Sequence, residues 1–483
     1  MTQKQASTSP SRTDIIKCAI YMTLYFAFLY WVGSWWGLIA APLIFDLYIT
    51  KKIKWGWWKE LENPLYRMVM SWVDAIVFAL IAIYFLNNFF FQNFVIPTSS
   101  LEKTMLVGDY LCVSKVHYGP RIPQTPLTMP LTQNTMPAIL GGGKSYLDHP
   151  HWDYRRVQGL DTIQLGDIVV FNFPVGDTVC LKAQNPDYRT LCYMFGQQIL
   201  AQSGNTFVPT PSMSYEQQQR VYEQWYTLGR NYLMANQAEY GEIIARPVDR
   251  RENFVKRCVG LPGQTLRIVD NEIYLDGVKQ PKPECAQQNY DIEFKKNLPS
   301  EVIEEQGITR EDIYCYNSGN GFPLTQAVKK TLEERGYIHP DAPYTEASSS
   351  SIYPINMAKD WTTANYGGEE GIWIPKRGET LQLSLKTLPV YAPCITDHEG
   401  NTLAVRDSVI YINNEPATSY TFKYNYYWMM GDNRDCSADS RSWGFVPEDH
   451  IVGKPLFVWL SLDPDYGLFS GKIRWERFFK SEF

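Results

Sequence analysis

Two apolar stretches in the first hundred residues constrain this chain more than any other feature. From Ile15 to Tyr48 the sequence is almost continuously apolar, with Lys17 near its start, Asp46 near its end, and Gly33, Ser34, Gly37 and Pro42 inside it. Roughly 20 residues cross a bilayer core, so this stretch is too long for one simple span. It reads either as one tilted helix with an interfacial segment or as two short spans turning at Gly33-Ser34. The second stretch, Met68 to Phe91, holds one charge, Asp74, and reads as a transmembrane helix. Between them Lys51, Lys52, Lys54 and Lys59 stand beside Trp55, Trp57 and Trp58, the cationic and aromatic flanks expected of a cytoplasmic membrane face. Everything after about residue 95 is then expected outside. A cleaved signal peptide fits less well, because the second stretch starts far from the N-terminus and no small-residue cleavage site follows it.

Charge follows the same division. Eight Lys/Arg against five Asp/Glu before residue 96 give +3, so the remainder carries −9 of the chain's net −6. An acidic exterior gives no reason to expect nucleic-acid binding. Nine cysteines in 483 residues do not make a disulfide scaffold, and without a C-x-x-C pair a zinc site is unsupported. His149 and His151 flank Pro150, but no third ligand is evident, and no metal or cofactor is expected.

Beyond the anchor the chain reads as β-rich. Short β-branched and aromatic runs bounded by Gly, Pro or Asp recur at 110–114, 167–173, 253–259, 265–275, 408–412 and 424–430. This spacing predicts a mainly β exterior domain whose antiparallel sheets close partly into a barrel. Helices interrupt it at Ser214 to Leu233, where Ser214 and Gln217 form a capping box, and at 300–306 and 325–335, stopped by Gly307 and Gly336. The run from Ala347 to Ser351 reads as a loop. The expected organisation is an anchor (1–95), core segments at 96–175, 246–280 and 421–483, and insertions at 176–245 and 281–420.

The chemistry begins just past the anchor, at Pro97-Thr98-Ser99-Ser100-Leu101-Glu102-Lys103. A Ser hydroxyl is a weak nucleophile until a base takes its proton. None of the six His sits in a segment resembling a triad motif, which leaves Lys as the natural base. Lys103 gives Ser100-x-x-Lys103, the spacing of penicillin-recognising acyl transferases, with Ser318-Gly-Asn320 as a loose second motif; no Lys-Thr-Gly accompanies it. Lys256 is the other candidate, in the apolar strand Asn253-Phe-Val-Lys-Arg-Cys-Val-Gly260. A Lys with an unperturbed pKa is neutral at pH 7 in only roughly one molecule in two thousand, but burial or a neighbouring cation lowers that pKa.

Four blocks decide what the set resembles: the Ser100 segment, Gly166 to Pro174, the Lys256 strand with Gly260-Leu-Pro-Gly263, and Met430-Gly-Asp-Asn-Arg-Asp-Cys-Ser-Ala-Asp-Ser-Arg-Ser-Trp-Gly-Phe-Val-Pro447. In this order they resemble type I signal peptidase, the bacterial leader peptidase. The resemblance implies a membrane-bound endopeptidase that removes signal peptides from exported preproteins. Ser100 would be the nucleophile and Lys256 the general base. Thr98 and the Ser100 backbone would hold the oxyanion. Ser437 would position the lysine, and Asp432, Arg434, Asp439 and Arg441 would support the site. Ile168, Val170, Phe171 and Phe173 are the candidate substrate wall, with main-chain strand addition along Gly166–Pro174.

The same resemblance implies substrates with small residues one and three positions before the cut. It also implies the lipid bilayer and the translocation machinery as partners, and a bacterial inner membrane with the catalytic domain on the periplasmic side. Two other readings stay open here: a penicillin-recognising transpeptidase or carboxypeptidase using Lys103, and a non-catalytic scaffold that binds exported chains. Lys103 replaces a common Pro and puts an extra cation near the nucleophile. The insertions exceed those of a compact relative, and Cys180 with Cys192 is a candidate disulfide from closeness in sequence alone.

Overall fold

The structure, a computed structural model, describes residues 10–483 except 138, 140, 142, 184–185, 205–206, 341, 346–351, 358, 468–470 and 482; the loop expected at Ala347 to Ser351 lies outside the described residues. Two compact units form, one from Met1–Gln92 with Lys115–Asp161, the other from Asn93–Ser114 with Thr162–Phe483. The segment expected as a single core piece at 96–175 is therefore divided between them.

In the first unit, helix α1 (Arg12–Val32) starts at a capping box made by Ser11 and Asp14 and stops at Gly33 in the left-handed conformation. Helix α2 (Pro64–Phe89) is capped by Asn63, with Pro64 at its first position. Both are long and apolar enough to cross a membrane. On α2, Trp72 and Phe78 are exposed by 67% and 75%, a surface suited to lipid. The remainder of the first apolar stretch, Trp35–Thr50, is shorter than a span. It folds back on α1, where the Tyr25 hydroxyl donates to the Gly37 carbonyl at 2.6 Å and a Cβ on Gly37 would lie 2.3 Å from Leu29. Asp46 closes this segment by accepting from the backbone of Lys52 and Ile53 and from Trp55 Nε1. Within the same unit Val32, Phe89, Ile122 and Val157 share an apolar core, and Tyr84 donates to the Pro126 carbonyl.

The second unit is built on a seven-stranded sheet. Its strands are β1 (Phe91–Val95), β2 (Asp109–Ser114), β3 (Ile168–Asn172), β4 (Asn253–Gly260), β5 (Tyr426–Met430), β6 (Val446–Pro447) and β7 (Ile451–Ser461), in the order β1-β2-β7-β3-β4-β5-β6. The β2–β7, β7–β3, β3–β4 and β4–β5 ladders are antiparallel, and all but β3–β4 contain register shifts. Such bulges bend strands and tighten twist, which curls the sheet into a half-barrel. The run expected as one strand at 265–275 is instead the hairpin Thr265–Val269 and Glu272–Leu275, because Asp270 and Asn271 both take positive φ, as a type I′ turn requires. It packs into a core around Trp428, Tyr426, Ile374 and Phe445.

Two insertions hang from this frame. In the first, helix α3 (Tyr188–Gln202) packs against helix α4 (Tyr215–Ala235), which keeps the Ser214–Gln217 capping box. Added Cβ atoms at Gly196 and Gly229 would come within 1.8 and 1.9 Å of the facing backbone, so glycine sets the closeness of this crossing. Cys180 and Cys192 are free thiols buried in the core of this insertion, and the expected disulfide between them is not formed. The second insertion pairs Gln287–Tyr290 with Phe322–Thr325 and adds helices α5 (Ser300–Glu305), α6 (Arg310–Asn317) and α7 (Gln326–Glu334) around Phe322, Leu324, Leu332 and Ile338.

Candidate active site

Successive side chains of a strand point to opposite faces, so Lys256 and Arg257 on β4 diverge. Lys256 is 3% exposed, and its Nζ lies 2.5 Å from Ser100 Oγ. Among the described residues it has no ion-pair partner. Burial lowers its pKa from the usual 10.5 to about 8; Asp439 and Asp432 pull it upward from a distance, and Arg441 pushes it further down. An amine in this state can take a proton from the hydroxyl it touches.

Arg257 does different work. Its Nε and Nη2 each bond a carboxylate oxygen of Asp432 at 2.8 Å, and its Nη1 donates to the Gly166 carbonyl at 2.7 Å. Asp432 is fully buried. Burial opposes its ionisation, but the bidentate Arg257 overrides this and holds the carboxyl below its usual range. The Thr104 hydroxyl donates to the same carboxylate at 2.6 Å, so Asp432 ties the lysine strand to the turn that carries Ser100. Arg257 is a site residue that sequence reasoning passed over as a mere neighbouring cation; strand alternation is the signal that separates it from Lys256.

The loop after β5 locks the turn from the other side. Asn433 N donates to the Ser100 carbonyl at 3.1 Å, and Asn433 Nδ2 donates to the Ser99 carbonyl at 3.2 Å. Gly431 permits this approach, since a Cβ there would stand 2.3 Å from Ser437 Oγ and 2.6 Å from the Ser100 carbonyl oxygen. Asp439 accepts from Arg441 Nε at 2.9 Å, from Arg441 Nη2 at 2.8 Å and from Gly431 N at 3.1 Å. Burial raises the Asp439 carboxyl and Arg441 outweighs it, leaving the pKa lowered. Arg441 also donates to the Arg434 carbonyl, and Arg434 itself is 4% exposed. Arg477 adds a support that no motif announced, donating to the Thr104 carbonyl and to Asp109.

Two residues sit differently from their implied roles. Ser437 lies beside Gly431 and the Ser100 carbonyl, but its hydroxyl donates to Ala438 O at 3.3 Å and makes no hydrogen bond to Lys256. Lys103 is turned away from Ser100: its Nζ donates to Asp312 Oδ2 at 2.8 Å and to the Gly307 carbonyl at 2.6 Å, both in the second insertion. This arrangement runs against the expectation that the Lys103 amine acts on Ser100. Thr98 is exposed two residues before Ser100, and its hydroxyl is unengaged among the described residues.

The candidate substrate wall also divides. β3 is paired with β4 along Ile168–Asn172 and with β7 at Val170 and Phe171, so it lies inside the sheet and is a poor place for a substrate strand to add. Ile168 and Val170 join the apolar cluster of Ile96 and Leu101 that surrounds the nucleophile turn, with Val255 packed against it. Phe171 and Phe173 point instead to an aromatic group with Trp443. An open edge lies on β4: β5 pairs with Arg257, Cys258 and Gly260, and among the described residues no strand pairs with Asn253–Val255 on that side.

Comparison with known proteins gives the family. The family described as Signal peptidase, peptidase S26 matches residues 69–318 and 415–460. Signal peptidase I of Haemophilus influenzae is 24% identical over 411 residues, covering 83% of this chain and 73% of that protein. Signal peptidase I of Buchnera aphidicola subsp. Acyrthosiphon pisum is 26% identical over 243 residues, covering 49% of this chain and 57% of that protein. Signal peptidase I of Helicobacter pylori is 30% identical over 161 residues, covering 30% of this chain and 52% of that protein. With more than half of its length matched by one family model, the chain belongs to the signal peptidases, peptidase S26.

Proposed function

We propose that this chain is a membrane-anchored serine endopeptidase that removes signal peptides from exported preproteins, with Ser100 as nucleophile and Lys256 as general base. The observation that carries the reading is the 2.5 Å contact between Ser100 Oγ and a buried Lys256 Nζ whose pKa lies at about 8. Lys256 takes the hydroxyl proton as Ser100 attacks the scissile carbonyl, then gives it to the leaving amine, and an acyl-enzyme remains. Water, deprotonated by the same lysine, releases the mature protein. The Ser100 N–H and the free Thr98 hydroxyl hold the oxyanion; loss of one such donor costs about 2.7–4 kcal/mol of transition-state stabilisation. The substrate lies extended and adds to the open edge of Asn253–Val255 by main-chain hydrogen bonds. Its small residues before the cut meet the apolar cluster of Ile96, Leu101, Ile168 and Val170. The basic, Trp-flanked loop between the two apolar helices supports a cytoplasmic loop and a domain on the periplasmic side of a bacterial inner membrane.

The reading is tested by incubating the detergent-purified full chain with a preprotein. Wild type releases the mature fragment and Ser100→Ala does not. An active Ser100→Ala protein sinks the proposal. Reporters fused after residue 60 and after residue 110 should mark cytoplasm and exterior, and the reverse result overturns the orientation.

A further inference from the structure

The second insertion is fastened to the catalytic loop at several points. Gln287 N donates to the Asp432 carbonyl at 2.8 Å, Arg434 N donates to the Gln287 carbonyl at 3.0 Å, and Asn289 N donates to Asp435 Oδ2 at 2.8 Å. Helix α6 adds two side chains three residues apart, hence on one face. Asp312 holds Lys103, which follows the nucleophile by three positions. Cys315 meets Cys436, which immediately precedes Ser437, with 3.2 Å between the sulfurs. Both are free thiols in this structure, as are the other seven cysteines. Asn289 Nδ2 lies 3.5 Å from Cys315 Sγ and 3.8 Å from Cys436 Sγ, a donor shared by both thiols. The hydrogen bond from Cys436 lowers the Cys315 pKa, marking Cys315 as the thiol that ionises first.

We propose that Cys315 and Cys436 form a disulfide that bonds the insertion to the catalytic loop and holds Ser437 against the Ser100 turn. The proposal rests on the reading that this domain faces an oxidising exterior. Sulfurs in a disulfide are about 2.05 Å apart, so an approach of roughly 1 Å closes the bond. The Cys315 thiolate attacks one sulfur of an external protein disulfide, breaking that bond and releasing one thiol. Cys436, losing its proton, then attacks Cys315 and expels the second thiol, so two electrons pass to the external disulfide. Cys436 is a positioning residue here: it acts through its neighbour Ser437, whose hydroxyl fills the space above Gly431.

The test uses the full chain isolated from bacterial membranes, with free thiols alkylated before any reductant is added. Peptide mapping should find Cys315 and Cys436 in one cross-linked fragment, lighter by two hydrogens than its separated parts, while the other seven cysteines carry label. Alkylation of both Cys315 and Cys436, before and after exposure to oxidised glutathione, overturns the bond. On a signal-peptide substrate, reduction should lower kcat roughly ten-fold with KM held, as a displaced catalytic segment does. Cys315→Ser should match reduced wild type and ignore reductant. An unchanged kcat on reduction overturns the positioning role. Absence of cleavage by oxidised wild type would strike the peptidase reading instead, since the peptide map does not depend on turnover.

Discussion

Two regions flank Ser100, each with a lysine, and they treat that lysine in opposite ways. On β4, Lys256 is buried, has no counter-ion among the described residues and touches Ser100, the proposed nucleophile. Beyond the turn, Lys103 is neutralised by Asp312 of α6. Burial without a partner suits an amine to act as a base, whereas pairing with a buried carboxylate suits it to act as a tether. The contrast teaches that closeness in sequence was the poorer guide: Lys103 is three residues from Ser100 and Lys256 is 156 away, yet the distant one makes the contact. It also disposes of the acyl transferase alternative, because the lysine of Ser100-x-x-Lys103 is already engaged.

The strongest way to break this contrast is to remove each amine. Lys256→Ala should lose at least about 10⁴-fold in kcat, as removal of a catalytic base does. Lys103→Ala should stay within about ten-fold of wild type, since its amine is held by Asp312 and the Gly307 carbonyl and not by Ser100. Preprotein cleavage by the two purified variants measures both, and an inactive Lys103→Ala beside an active Lys256→Ala would reverse the assignment.

Next in size is the ion pair behind the base. Arg257 and Asp432 are both buried, and removing one partner strands the other charge at a cost of about 3–5 kcal/mol. Asp432→Asn should therefore lower the denaturant midpoint clearly. Lys103→Met leaves Asp312 with Gln287 Nε2 at 3.1 Å and the backbone of Thr309 at 2.9 Å, so its loss should be smaller. Equal losses would show that the two pairs are energetically alike and blunt the comparison.

Much of the catalytic frame was legible because it is local. The strands at β2, β3, β4 and β5 follow from apolar runs, and the Ser214–Gln217 box and the glycine stops at 307 and 336 follow from side-chain chemistry within one turn. The proposed nucleophile and base came from matching blocks, since nothing in Asn253–Gly260 alone says which residue its lysine meets. What stayed hidden depends on partners far along the chain. The occupied edges of β3, the Arg257–Asp432 pair, the Lys103–Asp312 tether and the Cys315–Cys436 contact each join segments that no periodicity connects. The hairpin turn at Asp270-Asn271 was readable in principle, as both residues tolerate positive φ.

The nucleophile turn carries a second buried titratable group. Glu102 is 2% exposed, and burial raises its pKa from 4.5 to about 7; Asp312 adds to this, while Lys103, Arg474 and Arg477 oppose it. The folded state therefore holds this proton more tightly than the unfolded chain. Stability from the neutral form is complete below pH 4.5 and is lost as pH rises through about 7. Glu102→Gln removes that dependence, so above pH 7 the variant should gain about 1–3 kcal/mol relative to its difference from wild type in acid. Urea midpoints at pH 5 and pH 8 supply the check, and a difference constant with pH would place the carboxyl in a more solvated setting.

The smallest effect separates the lysines without mutating the base. Lys256 must be neutral to accept a proton, and burial brings its pKa down to about 8. At pH 7 roughly one molecule in ten then carries the free amine, against one in thousands for an unperturbed lysine. kcat/KM should rise about ten-fold per pH unit on the acid side, bend near pH 8 and level above it, because this ratio reports the free enzyme. Lys103→Met should leave the bend in place, since the charges acting on Lys256 come from Asp439, Asp432 and Arg441. A bend that moves by a full unit in Lys103→Met would mean that the two regions share one electrostatic field. A bend fixed at the same pH in both proteins would confirm that the insertion holds the turn mechanically and leaves the base to the strand that buries it.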